Sequence, residues 1–164
     1  MTDPIMTDIT AAVTLAHEGD ANTACTRLQD LWEQIGPAGD PFHRCTLAHY
    51  MADLYDDPAQ ALVWDVRALD AAAELTDERV QRHHSTLNIA GFYPSLHLNL
   101  ADNFRRLGSF EAARNHIDAA RQHQDALADD GYGTLIRGAI SEIGEAIDQR
   151  NTRRRATAPG AGAR

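Results

Sequence analysis

The segment from Pro94 to Arg121 constrains the fold of this chain most, because small and apolar residues recur at helical spacing on both sides of one glycine. The residues that form this pattern are Leu100, Ala101 and Phe104 before the turn at Gly108, and Phe110, Ala113, Ile117 and Ala120 after it. A period near 3.6 on both sides of a turn predicts two helices packed as an antiparallel hairpin. The small side chains of Ala101 and Ala113 would allow close approach, and Gly108 would end the first helix with a positive φ.

The rest of the chain is divided into further segments of helical length by glycine, proline and aspartate turns. One pair of segments has its turn at Gly19-Asp20, and a second pair has its turn at Asp56-Asp57-Pro58. Residues 132–149 carry a single stripe of Leu, Ile and Ala, which predicts a C-terminal helix. The composition agrees, since Ala and Leu are abundant and β-branched runs are few. These features predict an all-α domain over residues 1–150.

One further helix is predicted to begin at Thr76, because a hydroxyl cap followed by Asp77 and Glu78 suits an exposed helix N-terminus. We expect this helix to run to Gly91. Pro94 then interrupts the helical pattern, since proline removes a backbone donor and clashes with the preceding turn. The sequence leaves open whether Pro94 kinks one helix or starts another.

The order of residues in 97–120 resembles the tetratricopeptide repeat (TPR), in which a bulky residue, Leu-Gly and an aromatic residue precede a turn glycine, a second aromatic and spaced small residues. Only the initial Trp and the final Pro of that pattern are missing here. Weaker copies align around Gly19 and around Asp56-Asp57-Pro58. The chain is therefore identified as similar to small bacterial TPR proteins. The resemblance implies an α-solenoid of about three antiparallel hairpins with a C-terminal capping helix.

In TPR proteins the first helices of the hairpins line a concave groove that binds peptides or extended protein segments. The resemblance implies a groove formed here by Phe42, Cys45, His49 and Asp53 of the second hairpin and by Ser95, Leu98, Asp102, Arg105 and Arg106 of the third. It further implies a non-enzymatic adaptor. The alternative is a regulatory module that senses a small molecule or a metal through its His-rich groove.

The charge distribution indicates the kind of partner. The chain has 15 Arg and no Lys against 24 Asp and Glu, and five of the arginines lie beyond the last acidic residue, Asp148. The part of the chain up to Asp148 is therefore strongly acidic and repels phosphate backbones, which argues against nucleic acid as a partner. A basic or amphipathic protein or peptide is favoured as the partner instead. Residues 151–164 contain Arg, Ala, Pro, Gly and Thr without an apolar stripe, so we expect a disordered tail.

Other motifs argue against catalysis and against a metal. No nucleophile elbow, phosphate loop or dinucleotide fingerprint is present, so neither an enzyme nor a cofactor is expected. Cys45, His49 and Asp53 share one helical face, but a structural zinc site needs four ligands, and a groove role is favoured. The polar start, the two distant cysteines and the lack of a long apolar run predict a cytoplasmic protein with no membrane segment. Self-association remains possible.

Overall fold

The computed structural model describes residues 2–156, and this part of the chain is helical without strands. Its α-helices are α1 (Pro4–His17), α2 (Ala21–Ile35), α3 (Pro41–Ala52), α4 (Pro58–Ala72), α5 (Asp77–His83), α6 (Tyr93–Arg106), α7 (Phe110–His123) and α8 (Gly131–Asp148). The prediction of an all-α chain is confirmed.

The helices pack mainly with their neighbours in sequence. Helices α1 and α2, α3 and α4, and α6 and α7 form three closely packed pairs. Short turns join the two helices of each pair, so the helices of a pair run antiparallel. Helix α4 packs on α6 and links the second pair to the third, while α8 packs on both α6 and α7. Helix α6 is therefore covered by three other helices.

Aspartate side chains start most of these helices. The carboxylates that accept a backbone N–H of the first turn belong to Asp3, Asp20, Asp40, Asp57 and Asp130, which precede α1, α2, α3, α4 and α8. A capping carboxylate satisfies an N–H that has no partner within the helix and also interacts favourably with the helix dipole. These five aspartates therefore have a structural role, which accounts for part of the excess of acidic residues.

The structure resolves the alternative at Pro94 and corrects the predicted helix from Thr76 to Gly91. Helix α5 ends at His83, and residues 84–92 form an irregular segment with one 3-10 turn at Ile89–Gly91. The side chain of Asn88 accepts a hydrogen bond from the Gly91 N–H, which competes with helix continuation. Pro94 occupies the first turn of α6, where its missing N–H costs no hydrogen bond. The chain therefore breaks and starts a new helix.

Two apolar clusters form the core. One lies mainly among α1 to α5, and the other lies among α6, α7 and α8. In the second cluster Ala101 and Ala113 are fully buried, so the small side chains lie where α6 and α7 approach. Gly108 has a φ of 77°, in the left-handed region that favours glycine. Trp32 and Trp64 pack edge to face with ring centroids 5.2 Å apart, which joins α2 to α4.

Residues 151–156 correct part of the predicted disordered tail. Arg105 of α6 donates hydrogen bonds to the carbonyl oxygens of Asn151 (2.6 Å) and Arg153 (2.9 Å). Arg154 forms an ion pair with Asp56 at 2.7 Å. The segment is thus tied to the helical body by a buried arginine. Residues 157–164 lie outside the described part of the chain.

Within residues 2–156 no helix combines the length and the apolar character needed to cross a bilayer.

Candidate functional site

A groove of about 1250 Å³ lies between the helical hairpins of the described residues. It is lined by residues of α1, α2 and α3, by the irregular segment 84–92, and by the residues that start α6 and α8. We call this feature the concave groove. Ligand pockets typically enclose about 300–1,000 Å³, so the groove has room for more than one side chain of a partner.

Five of the nine residues predicted to bind a partner line the concave groove, namely Phe42, Cys45, His49, Asp53 and Ser95. Four of them lie on α3 or at its end, where helical spacing brings them to one face. Ser95 comes from the first turn of α6. The two helices that contribute these residues belong to different hairpins, and segment 84–92 joins the groove between them.

Leu98 does not face the concave groove. Its side chain has no solvent-exposed area and packs with Ala101, Ala113 and Ile117. The physical reason is that α6 is packed on α4, α7 and α8, so the face that a first helix of a repeat would leave open is covered. Leu98 is a core residue, and its predicted role in recognition is wrong.

Arg105 is also buried, with 1% of its side chain exposed. Its guanidinium donates to Asp102 Oδ1 through Nη2 (2.6 Å) and Nε (3.0 Å), and its Nη1 donates to the carbonyl oxygens of the C-terminal segment. Each of its three nitrogens therefore donates to an acceptor within the chain. Arg105 is a structural residue, and the prediction that it is available to a partner is wrong.

Asp102 and Arg106 line a second, smaller site with Asp53, which borders both sites. This polar pocket also includes Asp65, Asn99 and Asn103, and it has room for about one water molecule. Arg106 donates to the backbone carbonyl oxygen of Asp56 at 2.6 Å. The predicted groove residues are thus divided between the concave groove, the polar pocket and the core.

The most strongly perturbed carboxylate of the polar pocket is Asp65 of α4. It is 2% exposed and accepts hydrogen bonds from the side-chain amides of Asn103 (2.6 Å) and Asn99 (3.4 Å). Burial raises its pKa well above the usual value, the nearby charges of Asp53 and Asp102 raise it further, and the two amides lower it. In the sequence Asp65 lies at helical spacing from the apolar residues Ala61, Leu62, Ala68 and Leu69. A carboxylate within such a stripe is itself the signal that could have found this pocket.

The concave groove is acidic. Its ionisable lining consists of Asp53, Asp56 and Asp130 together with His17, His49 and His83, and no arginine is found in the lining within residues 2–156. Burial raises the pKa of Asp53, and the charges of His49 and His17 oppose that effect. The groove thus presents carboxylates inside a concavity, where field lines are focused and solvent screening is reduced.

Two tyrosines in the concave groove are unusually exposed for aromatic side chains. Tyr50 of α3 is 39% exposed and Tyr132 of α8 is 48% exposed. Although solvent reaches both rings, desolvation raises the pKa of each phenol, and the nearby Asp53 raises each pKa further. Both rings therefore lie inside the concavity, close to the Asp53 carboxylate.

The candidate metal stripe is not assembled. Burial raises the pKa of the Cys45 thiol to about 12, so it stays protonated at neutral pH and is a poor metal ligand. Within residues 2–156 no three His, Cys, Asp or Glu side chains are grouped so that they could hold a metal ion. Cys45, His49 and Asp53 therefore act here as lining residues of the concave groove.

Three histidines form a separate cluster between α6 and α7. The ring of His97 stacks on His116 (centroids 5.3 Å apart) and on His123 (5.9 Å), and its Nδ1 lies 3.0 Å from Nδ1 of His116. One of these two nitrogens must donate and the other must accept, so the contact requires at least one neutral ring. Burial, with added repulsion from the other two histidines, lowers the pKa of His97 to about 4.

This depressed pKa predicts a loss of stability on acidification. The unfolded chain takes up the proton at about pH 6.5, whereas folded His97 resists it until about pH 4, so stability falls as the pH drops through this window. Because the ring is partly exposed, we expect only about 1–2 kcal/mol from it. Urea unfolding at pH 7 and pH 5 measures the effect. His97→Phe should reduce the loss and exposed His84→Asn should not; equal losses in wild type and His97→Phe would contradict this account.

Comparisons with protein-family models, with curated proteins and with solved structures find no match to this chain. The concave groove, the polar pocket and their charges are therefore the features that indicate function.

Proposed function

We propose that this chain is a non-enzymatic binding module, a TPR-like array of helical hairpins that holds a basic or amphipathic peptide or protein segment in the concave groove. The single observation that carries the proposal is the lining of that groove, which combines apolar side chains with carboxylates and contains no arginine within the described residues. A groove of this charge attracts cations and repels anionic partners.

The apolar part of the lining favours a partner with hydrophobic side chains. Phe42, Leu87 and Phe92 contribute to it, and Phe42 and Phe92 stack with centroids 6.4 Å apart. Burial of aromatic and aliphatic surface supplies most of the affinity in such interfaces, whereas charges select among partners. An amphipathic basic segment satisfies both parts of the lining.

The arrangement of helices supports a TPR-like array. Three antiparallel pairs follow one another along the chain, and α8 packs on the last pair as a capping helix would. Residues 84–92 interrupt the array between the second and third pairs, and they contribute to the concave groove instead of forming a further hairpin. The interruption adds lining that a regular array would lack.

A panel of peptides of equal length and equal apolar content, but with basic, neutral or acidic polar positions, tests this function. We expect the basic amphipathic peptides to bind most tightly by fluorescence anisotropy, and the affinity to fall as salt is added. Thr46→Arg places a bulky cation in the groove lining and should weaken binding about tenfold or more, since it adds like-charge repulsion to steric blockage.

Thr26→Arg is the matched control, because Thr26 is exposed on α2 and lies outside the groove lining. It makes the same change in charge and should leave the affinity within about twofold of wild type. Equal binding of acidic and basic peptides, or equal weakening by both variants, would overturn the proposed function.

A further inference from the structure

Asp53 is the one residue that borders the concave groove and also shares the polar pocket with Asp65 and Asn99. Its side chain is open to the solvent of the groove although the surrounding protein desolvates the carboxylate, and the charges of His49 and His17 act on it from nearby. It also follows the last turn of α3, where a negative charge opposes the helix dipole. The aspartates that cap helix N-termini accept backbone N–H groups, whereas Asp53 stands at a helix C-terminus.

Within residues 2–156 no arginine pairs with Asp53, and the cationic groups that act on its carboxylate are the imidazoles of His49 and His17. Asp102 is already paired with Arg105, and Asp65 is bound only by uncharged amides. The arginines that border the polar pocket are engaged elsewhere: Arg106 with the Asp56 carbonyl, Arg154 with the Asp56 carboxylate and Arg155 with Glu142. Where the groove meets the polar pocket, Asp53 and Asp65 therefore have no arginine partner among the described residues.

Asn99 provides a second, independent observation. Its side chain is 3% exposed, and its Oδ1 is a buried acceptor without a hydrogen-bond partner among the described residues. Its Nδ2 faces Asp65 Oδ1 at 3.4 Å and His49 Nδ1 at 3.5 Å, so reversing the amide would set its oxygen against the Asp65 carboxylate. A buried acceptor left unpaired is unfavourable, and an N–H donor in the pocket would satisfy it.

The two exposed tyrosines complete the surroundings on the groove side. Tyr50 and Tyr132 line the same cavity as Asp53, and no ring contact between them is found in the described part of the chain. Tyrosine faces attract cations within about 6 Å of the ring centroid, most strongly where water is excluded. A cation near Asp53 would thus meet a carboxylate and aromatic surface together.

We infer that Asp53 is the seat for the ammonium head of a lysine side chain carried by the bound segment, with the alkyl stem beside Tyr50 and Tyr132 and one N–H donated to Asn99 Oδ1. The inference rests on the proposed function, because it names the group by which the segment is recognised. An N–H cation fits better than a quaternary ammonium, since only the former donates to the free amide oxygen. The charged head also neutralises the unpaired carboxylates of the polar pocket.

The test uses a basic amphipathic peptide with one lysine, compared with the same peptide carrying norleucine or trimethyllysine in its place. On the wild-type protein the lysine peptide should bind about tenfold or more tightly than the norleucine peptide, as expected for a charge-assisted hydrogen bond. Asp53→Asn should remove most of this difference. Asp30→Asn, which removes an exposed charge on α2 outside both sites, should preserve it.

The possible outcomes separate the two proposals. Equal affinity of the lysine and norleucine peptides for the wild type overturns the seat at Asp53 while binding in the groove stands. Failure of every peptide to bind overturns the proposed function and the seat with it. Trimethyllysine that binds as well as lysine overturns donation to Asn99. The comparison of peptides on the wild type needs no variant, so it decides the question even if Asp53→Asn folds poorly.

Discussion

Arg105→Met is expected to lower the free energy of unfolding by about 3–5 kcal/mol, the usual cost of removing one partner of a buried ion pair. The substitution leaves Asp102 charged and buried, and the carbonyl oxygens of Asn151 and Arg153 lose their donor. Methionine fills similar space but supplies no charge, so the loss reports mainly on these interactions. Urea denaturation followed by circular dichroism measures the change.

Arg114→Met is the matched control for this prediction. Arg114 of α7 also pairs with an aspartate, Asp148, at 2.9 Å, but both side chains are more than half exposed. Exposed ion pairs contribute about 0–1 kcal/mol, so this variant should be close to wild type. If Arg105→Met were equally mild, the burial of Arg105 and its link to the C-terminal segment would be contradicted.

Leu98→Ala is expected to lower the free energy of unfolding by about 2–5 kcal/mol, because it removes buried methyl groups and leaves a cavity between α6, α7 and α8. Peptide affinity should be unchanged once the protein is folded, since Leu98 lines neither the concave groove nor the polar pocket. Denaturation and anisotropy measurements on the same preparation separate the two effects.

Leu107→Ala supplies the control for this substitution. Leu107 directly follows α6 and is 42% exposed, so the same change in side chain should cost about 0.5 kcal/mol or less. A Leu98→Ala protein that keeps wild-type stability but binds the peptide weakly would instead place Leu98 in the groove. That result would restore the arrangement that the repeat pattern implies and contradict the packing of α8 on α6.

Local sequence patterns predicted the helices well, since helix periodicity and turn residues act over short distances. The hairpin turn at Gly108 and the aspartate caps follow from the identity of one or two residues. The helix predicted from Thr76 to Gly91 ends at His83, and beyond it the side chains of His84 and Asn88 accept the backbone N–H groups of Thr86 and Gly91. Local reasoning therefore fails where a short polar segment offers the backbone an alternative set of hydrogen bonds.

The candidate site was predicted only in part, because its exposure depends on how distant helices pack. The helical spacing of His49 and Asp53 is enough to predict that they share one face of α3, whatever the rest of the fold is. The exposure of Leu98 instead depends on α8, and the exposure of Arg105 depends on Asn151 and Arg153, which lie 46 and 48 residues away in sequence. The repeat pattern describes contacts between adjacent helices and contains no information about such coverage.

The polar pocket was not predicted either, because its buried polar residues come from two helices that are distant in sequence. Asp65, Asn99 and Asn103 lie on α4 and α6, and nothing in their sequence spacing indicates that they meet. The unusual feature that sequence does show is an aspartate in an apolar stripe of α4. Buried carboxylates are rare unless they are paired, so this residue type at that position is a signal for a polar partner from another helix.

The most direct test of the central claim, that a basic segment binds in the concave groove, is to map backbone amide chemical shifts while a basic amphipathic peptide is titrated into the isotope-labelled protein. We predict the largest changes at Thr46, Tyr50 and Asp53 of α3, at Ser95 of α6 and at Tyr132 of α8, all of which line the groove. Changes confined to the exposed surfaces of α2 and α7, with those residues unaffected, would contradict the claim.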